Sequence, residues 1–392
     1  MASVHLLPGR QRRLADGHPW VYRTEIADVQ GSPEPGAVVD VVDSRGRFVA
    51  RGLYNPQSMI AVRIVTRDPD EAVDEQLIRR RLEEAWSYRR RVVPEHLGAC
   101  RVVSGEADGL PGLFVDRYDR VLVVQVVSLG MERLLHAVLP ALRDLLDPTS
   151  IYLRNDVPVR QLEGLPLDSG WAYHTGPDRV WVQEHGVPFV VDVVAGQKTG
   201  HYLDQRDNRP LVRPLAAGAR VLDAFCHTGG FALNAALGQA ESVVAVDSSA
   251  AALATLQENA ARAGLGGRIE TVEANAFDLL RAHDREGRRY DVIILDPPPF
   301  ARNRASLPGA RRGYKEINLR ALRLLTPGGF LVTCSCSFHM TPDLFREVVA
   351  EAARDAGRRL RLAAERAQGP DHPIVPGYPE SHYLKCLIYE VR

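Results

Sequence analysis

The chain has 392 residues, enough for two or three domains, and its 45% hydrophobic and 25% charged residues are typical of a globular protein. Its formal net charge of +0 excludes attraction to nucleic acid by the overall field, so any such partner must be held by local patches. It has no apolar run of about 18 residues and no signal-peptide pattern, and its five cysteines lack metal-ligand spacing; we expect a cytoplasmic protein without a membrane span or a metal site.

The first domain is predicted over residues 1–70. Short apolar runs at 37–42, 48–53 and 60–65 are separated by turn residues, which predicts a small β-barrel. Cations surround one aromatic residue upstream, and this mixture can contact phosphates and stack on bases. The candidate RNA-binding residues are Arg12, His18 and Trp20. The alternative is a solvated basic turn with Trp20 in a small core. Segments 17–21 and 52–56 resemble the PUA domain, an RNA-binding barrel.

Residues 71–178 are predicted to form a central α+β domain. Apolar spacing over 70–93 predicts an amphipathic helix, whose arginine triplets we interpret as a solvated face rather than an RNA clamp. Strands are predicted over 101–104, 113–118, 121–127 and 151–154, and a helix over 131–146. No catalytic constellation falls in this domain, so we expect it to act as a spacer or to shape the substrate site.

The third domain is predicted over residues 179–392. After a strand at 189–194, the loop 196–206 carries Lys198 between two glycines, and Lys198 is a candidate substrate contact. A further apolar run ends at Asp223, a glycine pair follows, and a helix is predicted over 232–237. In an open α/β sheet this strand, loop and helix bind a nucleotide-like ligand at the carboxyl edge, where glycines allow the backbone to approach.

Two more strands of this domain end in acids. The strand 242–246 is followed by Asp247, at the position that holds a ribose diol, and the strand 291–295 is followed by Asp296. The glycine loop lacks the G-x-G-x-x-G spacing, which disfavours a dinucleotide ligand. These residues resemble the class I S-adenosyl-L-methionine (SAM) methyltransferases.

That resemblance implies SAM as cofactor, S-adenosyl-L-homocysteine (SAH) as product, and a Rossmann-like, seven-stranded, mostly parallel sheet with helices on both faces. The last strand, 384–391, is then expected to be antiparallel. The residues expected to contact the cofactor are Arg206, Asp223, Phe225, Thr228, Gly229, Gly230, Asp247, Ser248, Asn275, Ala276 and Asp296.

A strand predicted over 330–337 contains two cysteines that would share one face. Cys334 is expected to be a buried small hydrophobe, whereas Cys336 lies nearer the carboxyl edge, beside Asp296. Beside SAM, a thiolate that adds to pyrimidine C6 makes C5 nucleophilic towards the methyl group. Asp296 is placed to hydrogen-bond N3 and the amine of a cytosine flipped out of its stack. Cys336 and Asp296 are therefore the candidate catalytic residues, with Pro297 and Phe300 as substrate contacts.

Four segments carry a more specific resemblance. Gly-Gln-Lys-Thr-Gly and Leu-Asp-Gln-Arg within 196–206, Asp-Pro-Pro-Pro-Phe at 296–300, Ser-Cys-Ser at 335–337 and the closing segment 372–385 resemble the bacterial large-subunit rRNA cytosine-C5 methyltransferase family.

The family resemblance covers nearly the whole chain. It implies a PUA domain, a central domain and a SAM domain, with Cys336 as nucleophile, Asp247 on the ribose and 275–277 near the adenine. It also implies 23S rRNA or a large-subunit assembly intermediate as partner, and makes a homodimer plausible. Two positions depart from the family pattern: Asn275 replaces a frequent acid, and Pro299 stands where many members carry a lysine.

Two other functions are open at this point. Asp-Pro-Pro-Pro-Phe is close to the pattern with which amino-group methyltransferases of adenine or guanine grip an exocyclic amine, and those enzymes need no thiol. A non-catalytic RNA-binding assembly factor that has kept the fold is the third hypothesis. The thiol of Cys336 separates the first two, and methyl transfer to RNA separates both from the third.

Overall fold

The computed structural model describes residues 2–301 and 303–392. They divide into two compact units. The first comprises residues up to Val182 together with Val191–Leu203 and Pro370–Ser381, and the second comprises Gln183–Val190, Asp204–Gly369 and His382–Arg392. No helix among the described residues is long and apolar enough to cross a membrane. The domain boundaries proposed at 70/71 and 178/179 stay predictions.

The first unit begins with a six-stranded sheet in the order β2-β6-β5-β4-β1-β3. Its elements are β1 (Ser3–Leu6), α1 (Gln11–Ala15), β2 (Trp20–Tyr22), β3 (Ile26–Gln30), β4 (Val38–Val42), β5 (Phe48–Tyr54) and β6 (Ile60–Thr66). Period-2 alternation buries Val39 and Val41 while Asp40 between them stays partly exposed. The three predicted strands are confirmed as β4, β5 and β6, and the other three were missed.

A second sheet of the first unit has five strands in the order β11-β10-β9-β8-β7. The elements are α2 (Glu75–Val92), β7 (Ala99–Ser104), β8 (Leu113–Tyr118), β9 (Val121–Val126), α3 (Leu129–Arg133), α4 (Leu135–Leu146), β10 (Ser150–Asn155) and β11 (Asp168–Tyr173). The helix predicted from residue 70 begins only at Glu75, because Asp74 caps it by accepting a hydrogen bond from the Leu77 N–H (2.9 Å). The helix predicted over 131–146 is interrupted at Leu134.

A hairpin of β12 (Arg179–Glu184) and β13 (Val187–Asp192) precedes the large sheet. The large sheet contains seven strands in the order β16-β15-β14-β17-β18-β20-β19. Its elements are β14 (Arg220–Ala224), α5 (Gly230–Leu237), β15 (Ser242–Asp247), α6 (Ala250–Arg262), β16 (Ile269–Glu273), α7 (Ala276–Glu286), β17 (Tyr290–Leu295), α8 (Leu307–Leu324), β18 (Leu325–Ser335), α9 (Pro342–Asp355), β19 (Leu360–Arg366) and β20 (Lys385–Val391).

The large sheet is mixed. Strands β14 to β18 pair in parallel, whereas β20 lies antiparallel between β18 and β19, as predicted. The predicted α/β fold class is confirmed. The chain builds outward from β14 through β15 to β16 and then returns to add β17 on the other side, which makes the β14/β17 boundary a topological switch point. Ligands of open α/β sheets bind at the carboxyl end of such a boundary.

The strand predicted over 330–337 ends two residues early, at Ser335. Cys334 is therefore the last cysteine within the strand, whereas Cys336 lies in the segment that follows. The expectation that both cysteines continue one regular strand is wrong, and the two thiols have different surroundings: Cys334 is buried and Cys336 is partly exposed.

Candidate active site

Three acidic side chains meet at the carboxyl edge of the large sheet. Asp223 lies in β14, Asp247 ends the neighbouring β15, and Asp296 follows β17 on the other side of β14. Burial raises the pKa of Asp223 well above its ordinary value, and the charges of Asp296 and Asp247 raise it further. The three carboxyl groups, predicted from separate strands, are thus close enough to interact.

The loop between β14 and α5 requires unusual backbone geometry. Phe225 (φ 67°), His227 (φ 49°) and Gly229 (φ 87°) all have left-handed conformations. A Cβ on Gly229 would lie 2.5 Å from Leu256 Cγ, so only glycine fits there. Asp247 fixes the loop, since its Oδ2 accepts a hydrogen bond from the His227 N–H (2.9 Å). Asp247 therefore helps to hold the loop in this conformation.

Asp223 has one carboxyl oxygen with a protein partner and one without. Oδ2 accepts a hydrogen bond from the Ala232 N–H (2.8 Å), whereas Oδ1 is buried and has no hydrogen-bond partner in the described part of the chain. Buried carboxyl oxygens are ordinarily satisfied, and a cation beside this one would favour its charged form. SAM carries an ammonium group and a sulfonium group, and a ligand with these two positive charges fits this cluster of acids.

The remaining predicted cofactor residues surround this edge or support it. Asn275 caps α7, with Oδ1 accepting a hydrogen bond from the Phe277 N–H (2.9 Å), and Ala276 is buried behind it. The Thr228 carbonyl accepts a hydrogen bond from Asn259 Nδ2 (3.1 Å), and Ser248 is exposed after β15. Gly230 starts α5, where a Cβ would lie 2.4 Å from Arg209 Nε. Their contacts with the cofactor stay predictions.

Arg206 is almost fully buried, and its Nε donates a hydrogen bond to Asp207 Oδ1 (3.1 Å). This pairing gives the guanidinium a role inside the second unit. Its predicted contact with the cofactor stays a prediction.

Aromatic rings line up along the same unit. The ring centroids of Phe225 and Phe277 are 6.1 Å apart, those of Phe277 and Phe300 are 5.6 Å apart, and those of Phe300 and Tyr314 are 4.6 Å apart. The first three rings are only partly buried. The row links the loop after β14 to the Asp-Pro-Pro-Pro-Phe loop, so it offers flat apolar surface to planar rings.

Cys336 faces the loop that carries Asp296. Its Sγ lies 4.0 Å from the Pro297 carbonyl oxygen, and its side chain is partly exposed. The two serines beside it are held by Tyr314, whose hydroxyl lies 2.9 Å from Ser335 Oγ and 3.0 Å from Ser337 Oγ. Predicted catalytic residues 296 and 336 are thereby on neighbouring segments of one edge.

Two residues beside Cys336 were missed by the sequence reasoning. Tyr314 is buried, which raises its pKa to about 12. Lys385 is buried at the start of β20, and its Nζ donates hydrogen bonds to the carbonyls of Ser337 (2.7 Å) and Tyr383 (2.8 Å). A lysine at the start of a mostly apolar strand could have indicated a special role for Lys385. Nothing in the sequence around Tyr314 indicated a role for that residue.

Parts of the four segments with family resemblance are joined by hydrogen bonds within the second unit. The Asp204 carbonyl accepts a hydrogen bond from the Gly369 N–H (2.9 Å), and Asp204 Oδ2 accepts one from the Tyr383 hydroxyl (2.9 Å). The Ala301 N–H, directly after Asp-Pro-Pro-Pro-Phe, donates a hydrogen bond to Ser337 Oγ (3.2 Å). These bonds connect the Leu-Asp-Gln-Arg, Asp-Pro-Pro-Pro-Phe, Ser-Cys-Ser and C-terminal segments.

The candidate RNA-binding residues of the first unit differ in exposure. Arg12 is exposed, whereas His18 is only 5% exposed and hydrogen-bonds Arg13. Trp20 Nε1 donates a hydrogen bond to Glu106 Oε1 (2.8 Å), and its ring packs edge-on against His18 and Tyr378. Trp20 is nevertheless only partly buried, so both interpretations of this residue stay open. The RNA-binding roles of the three residues stay predictions.

Lys198 is exposed and has a left-handed backbone (φ 52°). Its Nζ lies 4.2 Å from the centroid of the Tyr202 ring, a cation–π contact within the same loop. Pro297 is buried, whereas Pro299, at the position of the family lysine, is exposed. The roles of Lys198 and Pro297 as substrate contacts stay predictions.

Comparisons with known proteins agree on two regions. Residues 4–67 match a PUA-like domain model, and residues 158–389 match the S-adenosylmethionine-dependent methyltransferase model. The chain is 42% identical over 383 residues to ribosomal RNA large subunit methyltransferase I of Klebsiella pneumoniae (strain 342), covering 97% of this chain and 96% of that protein. It is 44% identical over 392 residues to the protein of the same name from Tolumonas auensis, covering 98% of each.

Solved structures resemble the whole chain. A Streptococcus mutans protein described as a SAM-dependent methyltransferase superposes with a TM-score of 0.86 at 19% identity, covering 100% of both chains. A methyltransferase crystallised in complex with SAH has the same TM-score of 0.86 and the same identity of 19%. At this identity the likeness establishes the fold.

Proposed function

The chain belongs to the S-adenosylmethionine-dependent methyltransferase family and to its ribosomal RNA large subunit methyltransferase I group, and from that premise we propose that it methylates C5 of a cytosine in 23S rRNA through a covalent bond to Cys336. SAM is the cofactor, and large-subunit rRNA is the class of substrate. We propose three further points: that the target base is a cytosine, that the methyl group is added at C5, and that the reaction passes through a covalent bond to the enzyme.

The position of Cys336 carries the proposal. Cys336 follows the end of β18 at the carboxyl edge of the sheet, and its side chain is partly exposed. Its sulfur lies 4.0 Å from the carbonyl oxygen of Pro297, the residue after Asp296. C5 of cytosine is too weak a nucleophile to take a methyl group unaided. A thiol at this edge supplies the activation that C5 requires, whereas transfer to an amine needs no thiol.

The proposed reaction has three bond changes. The Cys336 thiolate forms an S–C6 bond, the C5=C6 double bond opens, and its electron pair is delocalised onto the base. C5 then accepts the methyl group that SAM supplies, which leaves SAH. Finally a base removes the C5 proton, C5=C6 re-forms, and the S–C6 bond breaks to return the thiolate.

Asp296 has a separate role in this reaction. Addition to C6 places negative charge on the ring. A protonated carboxyl group stabilises it by donating a hydrogen bond to N3, while its other oxygen accepts one from the exocyclic amine. Phe300 ends the same Asp-Pro-Pro-Pro-Phe loop, and its partly buried ring offers a face to the flipped base. Lys198 and Pro297 are proposed as further substrate contacts.

The cofactor is proposed to occupy the edge between β14 and β15. Asp247 would accept hydrogen bonds from the ribose hydroxyls, the Asp223 oxygen would balance the positive charge of SAM, and Phe225 and Phe277 would pack on the adenine. The polypeptide thus supplies the charge complementarity and the rigid loop, while SAM supplies an electrophilic methyl group.

The N-terminal residues 1–70 are proposed to bind the rRNA as a PUA domain, and residues 71–178 to form the central domain between it and the methyltransferase domain of 179–392. The match of residues 4–67 to a PUA-like model supports the first assignment. The partner is 23S rRNA or an assembly intermediate of the large subunit. A cytoplasmic location and a homodimer are carried forward as predictions.

Trapping of a covalent adduct tests the proposal. A 23S rRNA fragment containing 5-fluorocytidine cannot lose a C5 proton after methyl transfer, so the wild-type protein should remain joined to it through Cys336 in the presence of SAM. Peptide mass spectrometry should locate the link at this residue, and nucleoside analysis of unmodified rRNA should give 5-methylcytosine.

The control is Cys334→Ala, which should still form the adduct, whereas Cys336→Ala should not. Methylated adenine or guanine as the product, made equally well by Cys336→Ala, would establish the amino-group methyltransferase instead. Absence of methyl transfer to naked rRNA and to assembly intermediates alike would favour the assembly factor.

A further inference from the structure

Lys385 is the buried lysine of this chain. The sequence has three lysines, and in the structure Lys198 is exposed, Lys315 is partly exposed, and Lys385 is only 2% exposed. Lys315 has ordinary partners, with Asp355 at 2.8 Å. Burying an ammonium group is costly unless an opposite charge or hydrogen bonds compensate it. The buried location of Lys385 therefore requires a physical explanation.

The hydrogen bonds of Lys385 lead to Cys336. Its Nζ donates to the carbonyl of Ser337, the residue directly after the cysteine, at 2.7 Å, and to the Tyr383 carbonyl at 2.8 Å. No carboxylate in the described part of the chain forms an ion pair with it. Burial lowers the pKa of Lys385 to about 8, and a negative charge on Cys336 opposes that decrease.

We propose that Lys385 is a positioning residue for methyl transfer, which fixes the segment after β18 through the Ser337 carbonyl and whose positive charge keeps the Cys336 sulfur a thiolate. This role rests on the proposed use of Cys336 as the nucleophile. The thiol S–H bond breaks with its proton going to solvent, Lys385 retains its own proton, and the sulfur electron pair is then available for the bond to C6.

The other titratable groups nearby do not supply that charge. Burial raises the pKa of Tyr314 to about 12, so its hydroxyl stays neutral while it holds both serines. Burial and the charge of Lys385 lower the pKa of His382, which favours its neutral form. Asp296, next to Pro297, is negative when ionised and opposes a thiolate. Lys385 is the cation in this set.

The pH dependence of Cys336 alkylation tests the inference. Full-length protein is treated with iodoacetamide between pH 5.5 and 9.5, and peptide mass spectrometry follows each cysteine separately. The other four cysteines are buried, so they serve as internal references. Three variants are compared with the wild type: Lys385→Gln keeps a donor for the carbonyls without charge, Lys385→Arg keeps the charge, and Lys315→Gln is a matched surface control.

The wild-type midpoint of Cys336 alkylation should lie below the ordinary cysteine value of about 8.5. Lys385→Gln should raise it by on the order of one pH unit, which slows alkylation at pH 7 about tenfold. Lys385→Arg should stay near the wild type, and Lys315→Gln should match it. In methylation assays, Lys385→Gln should lower kcat while the KM for SAM stays unchanged.

An unchanged alkylation midpoint in folded Lys385→Gln would overturn the inference, even if methylation falls. If that variant does not fold, the wild type and Lys385→Arg decide, since a wild-type midpoint at or above about 8.5 excludes a stabilised thiolate. Alkylation needs neither RNA nor SAM. Its outcome is therefore separate from the failure of the cytosine proposal, which would appear as methyl transfer by Cys336→Ala.

Discussion

The interior of the large sheet and its carboxyl edge give different surroundings to two cysteines that are only two residues apart. Cys334 is fully buried in β18, directly opposite Cys386 of β20, and burial raises its pKa well above the ordinary value. Cys336 follows the end of the strand, is partly exposed, and lies beside Lys385. The end of the strand thus separates a packing thiol from one suited to chemistry.

The largest expected effect separates the two cysteines by activity. Cys336→Ala should lower the rate of methyl transfer at least about 1,000-fold, because the nucleophile is removed and no other group makes C5 reactive. SAM affinity, measured by calorimetry, should change less than about threefold. Single-turnover transfer of labelled methyl to rRNA measures the rate, and Cys334→Ala is the matched control. Equal losses in both variants would break the comparison.

The next largest expected difference between Cys334 and Cys336 is in their contribution to stability. Cys334→Ser places a hydroxyl at a fully buried position of the sheet, and we expect it to lower the free energy of unfolding by about 1–3 kcal/mol. Cys336→Ser should lower it by less than about 0.5 kcal/mol, because that side chain already meets solvent. Urea unfolding followed by circular dichroism measures both. A larger loss at position 336 would show that its side chain is part of the packing.

The comparison between buried and exposed groups extends to Asp223, an acid that is buried at the carboxyl edge of the sheet. Since its pKa is raised in the folded protein by burial, Asp296 and Asp247, the folded state holds this proton more tightly than the unfolded state. Its contribution to stability is therefore lost as pH rises from the ordinary carboxyl value through the raised pKa. Asp223→Asn should stabilise the SAM-free protein near pH 7 by about 1–3 kcal/mol and weaken SAM binding about tenfold.

Asp291 is the matched control for this experiment. Arg220 hydrogen-bonds its carboxylate (2.9 Å), and these bonds lower its pKa, so its contribution is present above the ordinary carboxyl value and lost as pH falls. Asp291→Asn should therefore lower the melting temperature at pH 7 and leave SAM binding unchanged. Thermal unfolding between pH 5 and 8, with and without SAM, compares the variants. A destabilised Asp223→Asn protein at pH 7 would contradict the assignment.

The sequence was sufficient wherever a pattern is local. Strands β14, β15 and β17 are continuous apolar runs. The acids near or just after their ends were placed correctly at one edge because parallel strands align their carboxyl ends. Boundaries were less accurate. Nothing in the run 330–337 marks Ser335 as its last strand residue, whereas in the structure its pairing with β20, a strand distant in sequence, ends at the Ser335–Lys385 pair.

Partners distant in sequence also decide which cations are buried. The arginine triplet 89–91 was interpreted as a solvated face, yet Arg89 is fully buried and pairs with Asp108 and the Asp371 carbonyl. The triplet 79–81 does lie on the surface, where Arg79 pairs with Asp144. Helical spacing predicts which residues of α2 share a face, but it does not predict which acid will neutralise a buried guanidinium. Lys385 was missed because its hydrogen-bond acceptor, the Ser337 carbonyl, is likewise distant in sequence.

The smallest expected effect tests how firmly the segment after β18 must be held. Tyr314→Phe removes the hydroxyl shared by Ser335 and Ser337, and should lower stability by about 1 kcal/mol. Because those serines flank the nucleophile, the rate of methyl transfer should also fall about three- to tenfold, with the alkylation midpoint of Cys336 unchanged. Tyr290→Phe is the control, since its hydroxyl bonds His283 (3.0 Å) away from this segment, and should cost similar stability without loss of rate. Equal rates in the two variants would mean that Lys385 alone is enough to position the sulfur.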